Sequence, residues 1–269
     1  MKYLLAVAVA MLGSGGAQSA AVVPHRAIYD LTLLKSSDSS GLASADGRMA
    51  IEFSGSSCEG WTVSFRMVNK YQPVEGPGKL VDTQSTTYES GGFLDYHYSQ
   101  KDFIDNRPES EDRMKVTRPS LEAEGKGEIT EPLKKDLTIP AGTLFPMQHQ
   151  LRLMDSAAKG ELRDASVVFD GSDGDKLFRV ITLIAAPKAP GANTSDAANS
   201  VAAPLAGQRS WHMMLSYYQA AGQEAVPTYQ SNFDIYENGV ATNLELDYGD
   251  FTLGGKLAKL DLLPAEACQ

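Results

Sequence analysis

The sequence predicts a curved, mainly β fold wound around one main α-helix, and three observations carry that reading. Segment after segment alternates apolar and polar residues with a period of two, as half-buried strands do. Glycine, asparagine, aspartate and serine recur between those segments and mark turns. Only the stretch from Ile139 to Gly160 carries a clear helical period. Pro146 suits the first helical position, where no amide hydrogen is needed, and Gly160 suits the left-handed residue that commonly ends a helix. Between them Met147, Leu151, Met154 and Ala158 fall on one face, and Leu144 continues the line backwards. One amphipathic helix among strands has to bury that face, and the concave side of a curved sheet is the natural place.

Residues 1–21 read as a secretory signal peptide. Lys2 gives a positive start, Tyr3 to Leu12 is apolar, and Gly13 to Ala21 is small and weakly polar. The apolar run is too short to span a membrane as a helix, which takes roughly 20 residues. Cleavage fits after Ala21, with Ala17 and Ser19 as alternatives. No cysteine follows the run, which argues against a lipid anchor.

Residues 22–269 then read as a single β domain. Strands are expected over His25 to Leu34, Arg48 to Phe53, Trp61 to Val68, Lys79 to Glu89 and Phe93 to Ser99. Two shorter ones follow at Arg113 to Thr117 and Leu121 to Ile129, and the helix comes next. Beyond it, Leu162 to Phe169 and Leu177 to Ile184 flank Asp170-Gly-Ser-Asp-Gly-Asp175, a strong hairpin signal. Trp211 to Gln219, Thr228 to Tyr236, Ala241 to Tyr248 and Phe251 to Leu260 close the chain. Pro187 to Gly207 interrupts the pattern with Ala, Pro, Ser and Asn and reads as a flexible insertion.

The net charge is −10, or −11 once Lys2 leaves with the leader. That sign disfavours nucleic acid and anionic headgroups as electrostatic partners. Two cysteines, Cys58 and Cys268, permit one intramolecular pairing, which export would allow; two unrelated thiols are the alternative. Closing a loop that long is worth at most roughly 5 kcal/mol on the chain-entropy model.

Chemical signatures are sparse, so no catalytic residue, metal ligand or cofactor is expected. His25, His97, His149 and His212 do not stand at zinc-site spacing from one another or from a cysteine. There is no Gly-x-Ser-x-Gly elbow, and the Asp170 to Asp175 run lacks the closing glutamate of a calcium loop. Gly76-Pro77-Gly78 and Gly91-Gly92 read as turns, not phosphate cradles, since no helix opens after either. Tyrosines cluster in the expected strands. Where Tyr96, Tyr98 and Tyr217 face inward with Met147, Leu151 and Met154, they would line a groove for an acyl chain or a partner's peptide.

Several motifs carry a resemblance. They are Pro24-His-Arg-Ala-Ile-Tyr-Asp-Leu31, Cys58-Glu-Gly-Trp61, Thr138-Ile-Pro-Ala-Gly-Thr-Leu-Phe-Pro-Met-Gln-His149, Phe169-Asp-Gly-Ser172, Tyr236-Glu-Asn-Gly-Val240, Leu246-Asp-Tyr-Gly-Asp-Phe251, and Leu263-Pro through Cys268. In these the chain resembles the periplasmic cell-envelope integrity family named for EipB, from Gram-negative alphaproteobacteria. The resemblance implies a β-spiral, an open barrel-like sheet wound around a helix, locked by a disulfide between Cys58 and Cys268. It also implies a soluble periplasmic protein without known enzymatic chemistry, linked in function to a periplasmic tetratricopeptide-repeat protein. The 187–207 segment matches no pattern and receives no role.

Two readings therefore compete. In one the protein supports envelope integrity by protein–protein interaction. In the other it carries a lipid or lipoprotein in a concave apolar groove beside the helix, where methionines would tolerate varied chains. A hydrolase would rest on scattered serines and carboxylates alone.

Overall fold

The computed structural model describes residues 22–193, 200–222 and 225–265. The expected leader and Cys268 lie outside them. Before the helix come β1 (His25–Ser36), β2 (Leu42–Ser56), β3 (Gly60–Pro73), β4 (Lys79–Glu89), β5 (Asp95–Ile104), β6 (Arg107–Thr117), β7 (Gly125–Glu131) and β8 (Lys135–Ile139). The helix α1 (Pro146–Ala158) follows. After it come β9 (Arg163–Val168), β10 (Phe178–Ile184), β11 (Ser210–Gln219), β12 (Tyr229–Tyr236), β13 (Ala241–Asp247) and β14 (Phe251–Leu262).

All fourteen strands join one sheet in the order β8 to β1, then β14 to β9. Each strand pairs antiparallel with its sequence neighbour, and β1 accepts β14 on its other edge. The ladder therefore nearly closes on itself, and its one opening lies between β8 and β9, the strands that α1 connects. Register shifts in β1–β14, β12–β13, β5–β6 and β6–β7 add local twist and help the sheet coil. Gly47 contributes where β2 crosses β3. A Cβ there would lie 1.8 Å from the Asn69 side-chain oxygen and 2.4 Å from the Val68 carbonyl. The buried Asn69 side chain occupies the space that a larger residue at 47 would need.

Both margins of the opening are protected against further strand pairing. Leu144 bridges to β9, its amide donating to the Val167 carbonyl at 2.8 Å while its carbonyl accepts from Phe169 at 2.9 Å. On the other margin β8 is five residues long, bounded by Pro132 and Pro140 and preceded by Lys134. It was not among the expected strands. Only Leu137 and Ile139 of β8 face the core, so the alternation is too short to read. Its partner β7 starts at Gly125, later than the Leu121 expected from sequence, because 118–124 turns before pairing begins.

The helix stands where its period places it, with its buried stripe rotated by about one residue. Met147 and Met154 are buried as expected, but Leu153 and Ala157 complete the stripe, while Leu151 is half-buried and Ala158 is exposed. Both sets fit a helical repeat. Arg152 reaching Asp164 on β9 at 2.7 Å accompanies the observed orientation. Met147, Leu153, Met154 and Ala157 pack with Trp61, Val180 and Trp211. Part of the 187–207 segment packs as well: Ser200–Leu205 forms a short 3-10 helix whose Ala202 and Leu205 are buried beside Tyr29, Met49 and Leu257.

Candidate functional site

The start of α1 is fastened by residues far away in sequence. Phe145 precedes the helix and has no side chain able to accept from the first-turn amides. Glu89, at the end of β4, supplies the acceptors: its two carboxylate oxygens take the Met147 amide at 2.6 Å and the Gln148 amide at 3.1 Å. Burial pushes this carboxyl up to about 7, against the two amides and the nearby Arg118 guanidinium, which favour the anion. Arg118 donates to the carbonyls of Phe93 and Thr143 and to the Gln148 side chain, and lies 4.5 Å over the Phe145 ring. The C-terminal end closes as expected, with Gly160 at φ 78° and the Glu161 amide reaching the Ser156 carbonyl at 3.0 Å.

Beside the other flank of the helix the sheet leaves a chamber of about 390 Å³. Its walls come from β1, β2 and β3 on one side and β11, β12 and β13 on the other, with His149, Gln150 and Leu153 of α1 between them. Met49, Met67 and Met213 line it together with Phe65, Phe233 and Leu244. Its lining is mostly apolar and it opens to solvent past Tyr248, so without an occupant it leaves hydrophobic surface against water. The chamber is thus the feature of this fold that most needs a purpose.

Polarity changes along its length. At one end His25 stacks on Phe53 with ring centres 4.9 Å apart, and its Nδ1 pairs with the Val23 carbonyl at 2.7 Å. Burial lowers the His25 pKa. At the other end runs a line of aromatic rings: Tyr217 to Tyr229 at 5.5 Å, Tyr229 to Tyr248 at 5.2 Å, Tyr248 to Phe251 at 5.0 Å, and Phe251 to Tyr71 at 5.9 Å. Tyr248 is 37% exposed, so this line meets solvent. Burial raises the phenol pKa values of Tyr217, Tyr229 and Tyr248, that of Tyr217 with the nearby Asp170 carboxylate adding to it and that of Tyr248 to about 12, so these phenols are neutral.

The residues singled out from sequence divide among different places. Tyr217 lines the chamber. Met147 and Met154 are buried in the helix-centred core, and Leu151 packs partly against it. Tyr96 and Tyr98 belong to a separate core with Phe145 and Phe169, where the Tyr96 hydroxyl donates to the Asp170 carbonyl at 2.6 Å. The chamber-facing residues that sequence did not single out include His149, Met49, Met67 and Tyr229. Tyr229 and Tyr248 stood among the clustered tyrosines, and that was the only signal.

One cluster joins serine, aspartate and histidine, in an order unsuited to nucleophile activation. Ser166 donates its hydroxyl hydrogen to Asp164 at 2.5 Å, while His149 Nε2 stands 3.9 Å from the same carboxylate. The imidazole does not stand between hydroxyl and acid as a general base would. Burial lowers the His149 pKa to about 4, so the ring is neutral. No described group of three or more His, Cys, Asp or Glu is arranged to hold a metal. No helix among the described residues is long and apolar enough to cross a membrane.

A family profile described as EipB-like matches residues 16–264. The chain belongs to the EipB-like family. It is 34% identical to the cell envelope integrity protein EipB of Brucella abortus (strain 2308) over 258 residues, covering 93% of this chain and 89% of the relative. A crystal structure of a beta-barrel-like protein of a domain of unknown function from Brucella abortus superposes with a TM-score of 0.82 at 32% identity. That match covers 91% of this chain and 99% of the other. For this EipB-like chain the comparisons support a role in cell-envelope integrity and agree with the open, barrel-like sheet.

Proposed function

We propose that this chain is a non-catalytic periplasmic protein that maintains envelope integrity by binding a protein partner, a tetratricopeptide-repeat protein on the reading implied by resemblance. The carrying observation is its likeness to a cell envelope integrity protein across 93% of its length. Ser166 bonding Asp164 directly, with His149 not between them, supports the non-catalytic part at that cluster. An apolar patch on the outer sheet face near the opening supports the binding part. Leu183 on β10 sits opposite Met214 on β11, and they are 52% and 39% exposed, with the exposed Leu162 beside them where its carbonyl accepts the Ile184 amide. The test is a pull-down from the native periplasm with Leu183→Glu and Met214→Glu variants. Loss of a co-purifying repeat protein without a change in melting temperature is expected. Equal recovery by parent and variants removes this patch from the reading, and a deletion strain without envelope sensitivity removes the reading itself.

The disulfide between Cys58 and Cys268 belongs to the same proposal. Among the described residues no cysteine is free. Register supports the pairing: Leu262 lies opposite His25 and His25 opposite Phe53, so the chain leaves β14 two strands from β2, at the end that carries the Cys58 turn. Two strand spacings are roughly 10 Å. The residues after Leu263 reach up to roughly 17 Å when extended, which covers that gap.

The chamber favours a second reading, a periplasmic lipid or lipoprotein carrier. Native mass spectrometry of protein taken from its own periplasm separates the two. Stoichiometric bound lipid supports the carrier, and clean protein with a repeat partner counts against it.

A further inference from the structure

We propose that the chamber binds one hydrocarbon chain of a single-chain amphiphile, with the tail held among Met49, Met67, Phe65 and Leu153 and the polar head at the Tyr229–Tyr248 rim. The inference rests on the carrier reading and narrows it.

Size sets the number of chains. An apolar void of roughly 150 Å³ accommodates a benzene of six carbons. In proportion, about 390 Å³ takes roughly sixteen carbons, one chain of ordinary length, with no room for the pair on a diacyl lipid or the larger set on a lipoprotein. The volume also falls near the lower end of small-molecule sites, roughly 300–1,000 Å³.

Lining sets the chemistry. Met49, Met67 and Met213 come from three separate strands and supply flexible, polarizable walls that suit a chain with many conformers better than a rigid ring system. The deep end offers few polar atoms, and His25 Nδ1 there already pairs with the Val23 carbonyl. A polar head placed there would find few free partners.

Direction follows from the two ends. Trp211 and Ile235 are buried where β11 and β12 pass the helix core, while Tyr248 at the opposite end is exposed and carries a hydroxyl. An amphiphile enters tail first and leaves its head among neutral phenols, which donate and accept hydrogen bonds without selecting a charge. A free fatty acid and a lysophospholipid share this chemistry. The experiment tells them apart.

The purified full chain is titrated, below micelle formation, with palmitate, with palmitoyl lysophosphatidylethanolamine and with dipalmitoyl phosphatidylethanolamine, and read by native mass spectrometry and calorimetry. One equivalent of palmitate or of the lysolipid is expected, and whichever binds tighter names the source. Ala241→Phe, which fills the chamber between β12 and β13, and Leu246→Trp, which fills it nearer the rim, should each weaken binding by at least about tenfold while keeping the parent's circular dichroism. Using two fillers guards against one failing to fold. Binding of the diacyl lipid alone overturns the single-chain proposal and leaves the carrier reading intact. Binding of none overturns both. Folded fillers that bind like the parent place the ligand outside the chamber and overturn the proposal.

Discussion

Two halves of one sheet meet the same helix and are finished in opposite ways. Along β4 to β8 the interior is full. Phe145 stacks on Tyr96 at 4.8 Å, Phe169 meets Tyr96 edge-on at 5.8 Å, and all three rings are completely buried. Along β1 to β3 and β11 to β13 the interior is hollow. Strand alternation is the same in both. What differs is the connections: the approach to α1 and the exit from β9 each deliver a phenylalanine to the full half. The chain can therefore fill a concavity of this curvature when it has rings to spare. The chamber next door is a choice of side chains, not a limit of the fold.

The largest test of that contrast removes a ring from each half. Phe145→Ala should lower unfolding free energy by about 3–5 kcal/mol in urea titrations, since its neighbours surround it on every side. Phe65→Ala, on a chamber wall, should lose far less, about 1–2 kcal/mol, because one side of that ring already faces space. Equal losses would show that the hollow half is as tightly packed as the full one.

Next in size comes the proposed disulfide, which would fasten the His25 end of the hollow half by tying the end of β14 to the β2–β3 turn. Cys58→Ser and Cys268→Ser should each cost about 2–4 kcal/mol, and the double variant should add little. Losses that sum would mean the two residues are not paired.

Sequence revealed the strands and the helix because both write a period into consecutive residues. It did not reveal β8, where Pro132 and Pro140 leave too short a run. It also could not foresee that the buried face would turn from Leu151 toward Leu153, an orientation accompanied by the Arg152–Asp164 contact with β9. The Glu89 cap lies 58 residues from the amide it accepts, and nothing near Phe145 announces it. Half-hollow packing was beyond reach for a related reason. Tyr96 and Tyr217 look alike in their strands, yet one is stacked shut and the other faces the chamber, because the curvature of a bulged sheet decides which concavity closes.

The full half should also respond to pH in a way the hollow half does not. Glu89 titrates near its ordinary value of 4.5 when unfolded and near 7 when folded, so the folded state holds the proton more tightly. Between those values the native state binds more protons than the unfolded one, and stability falls as pH rises. At 1.36 kcal/mol per pKa unit the effect is roughly 1–3 kcal/mol. It is fully present below about pH 4.5 and gone above about pH 7. Glu89→Gln should lose that contribution, so the difference between parent and variant urea midpoints should fall from pH 4 to 8. A difference that stays flat there would mean the carboxylate is ionised throughout, held by the two helix amides and Arg118.

The smallest effect is the most direct probe of the hollow half. Ala241 lines the chamber, so Ala241→Leu adds methylenes into space that is already present and should be neutral or stabilising by up to about 1 kcal/mol. The matching change in the full half is Gly125→Ala. There a new Cβ would stand 2.9 Å from the Val116 methyl and 3.5 Å from Ile139, and overpacking of that kind costs about 1–3 kcal/mol. Opposite signs for two small additions to one sheet would show that the halves differ in free volume and not merely in composition. A loss at both sites would mean that the chamber walls are braced against each other and closed to any occupant without prior movement. In that event bound chain, if found, would have to widen the space it enters, and melting temperature should rise with chain length more steeply than burial of added methylenes explains.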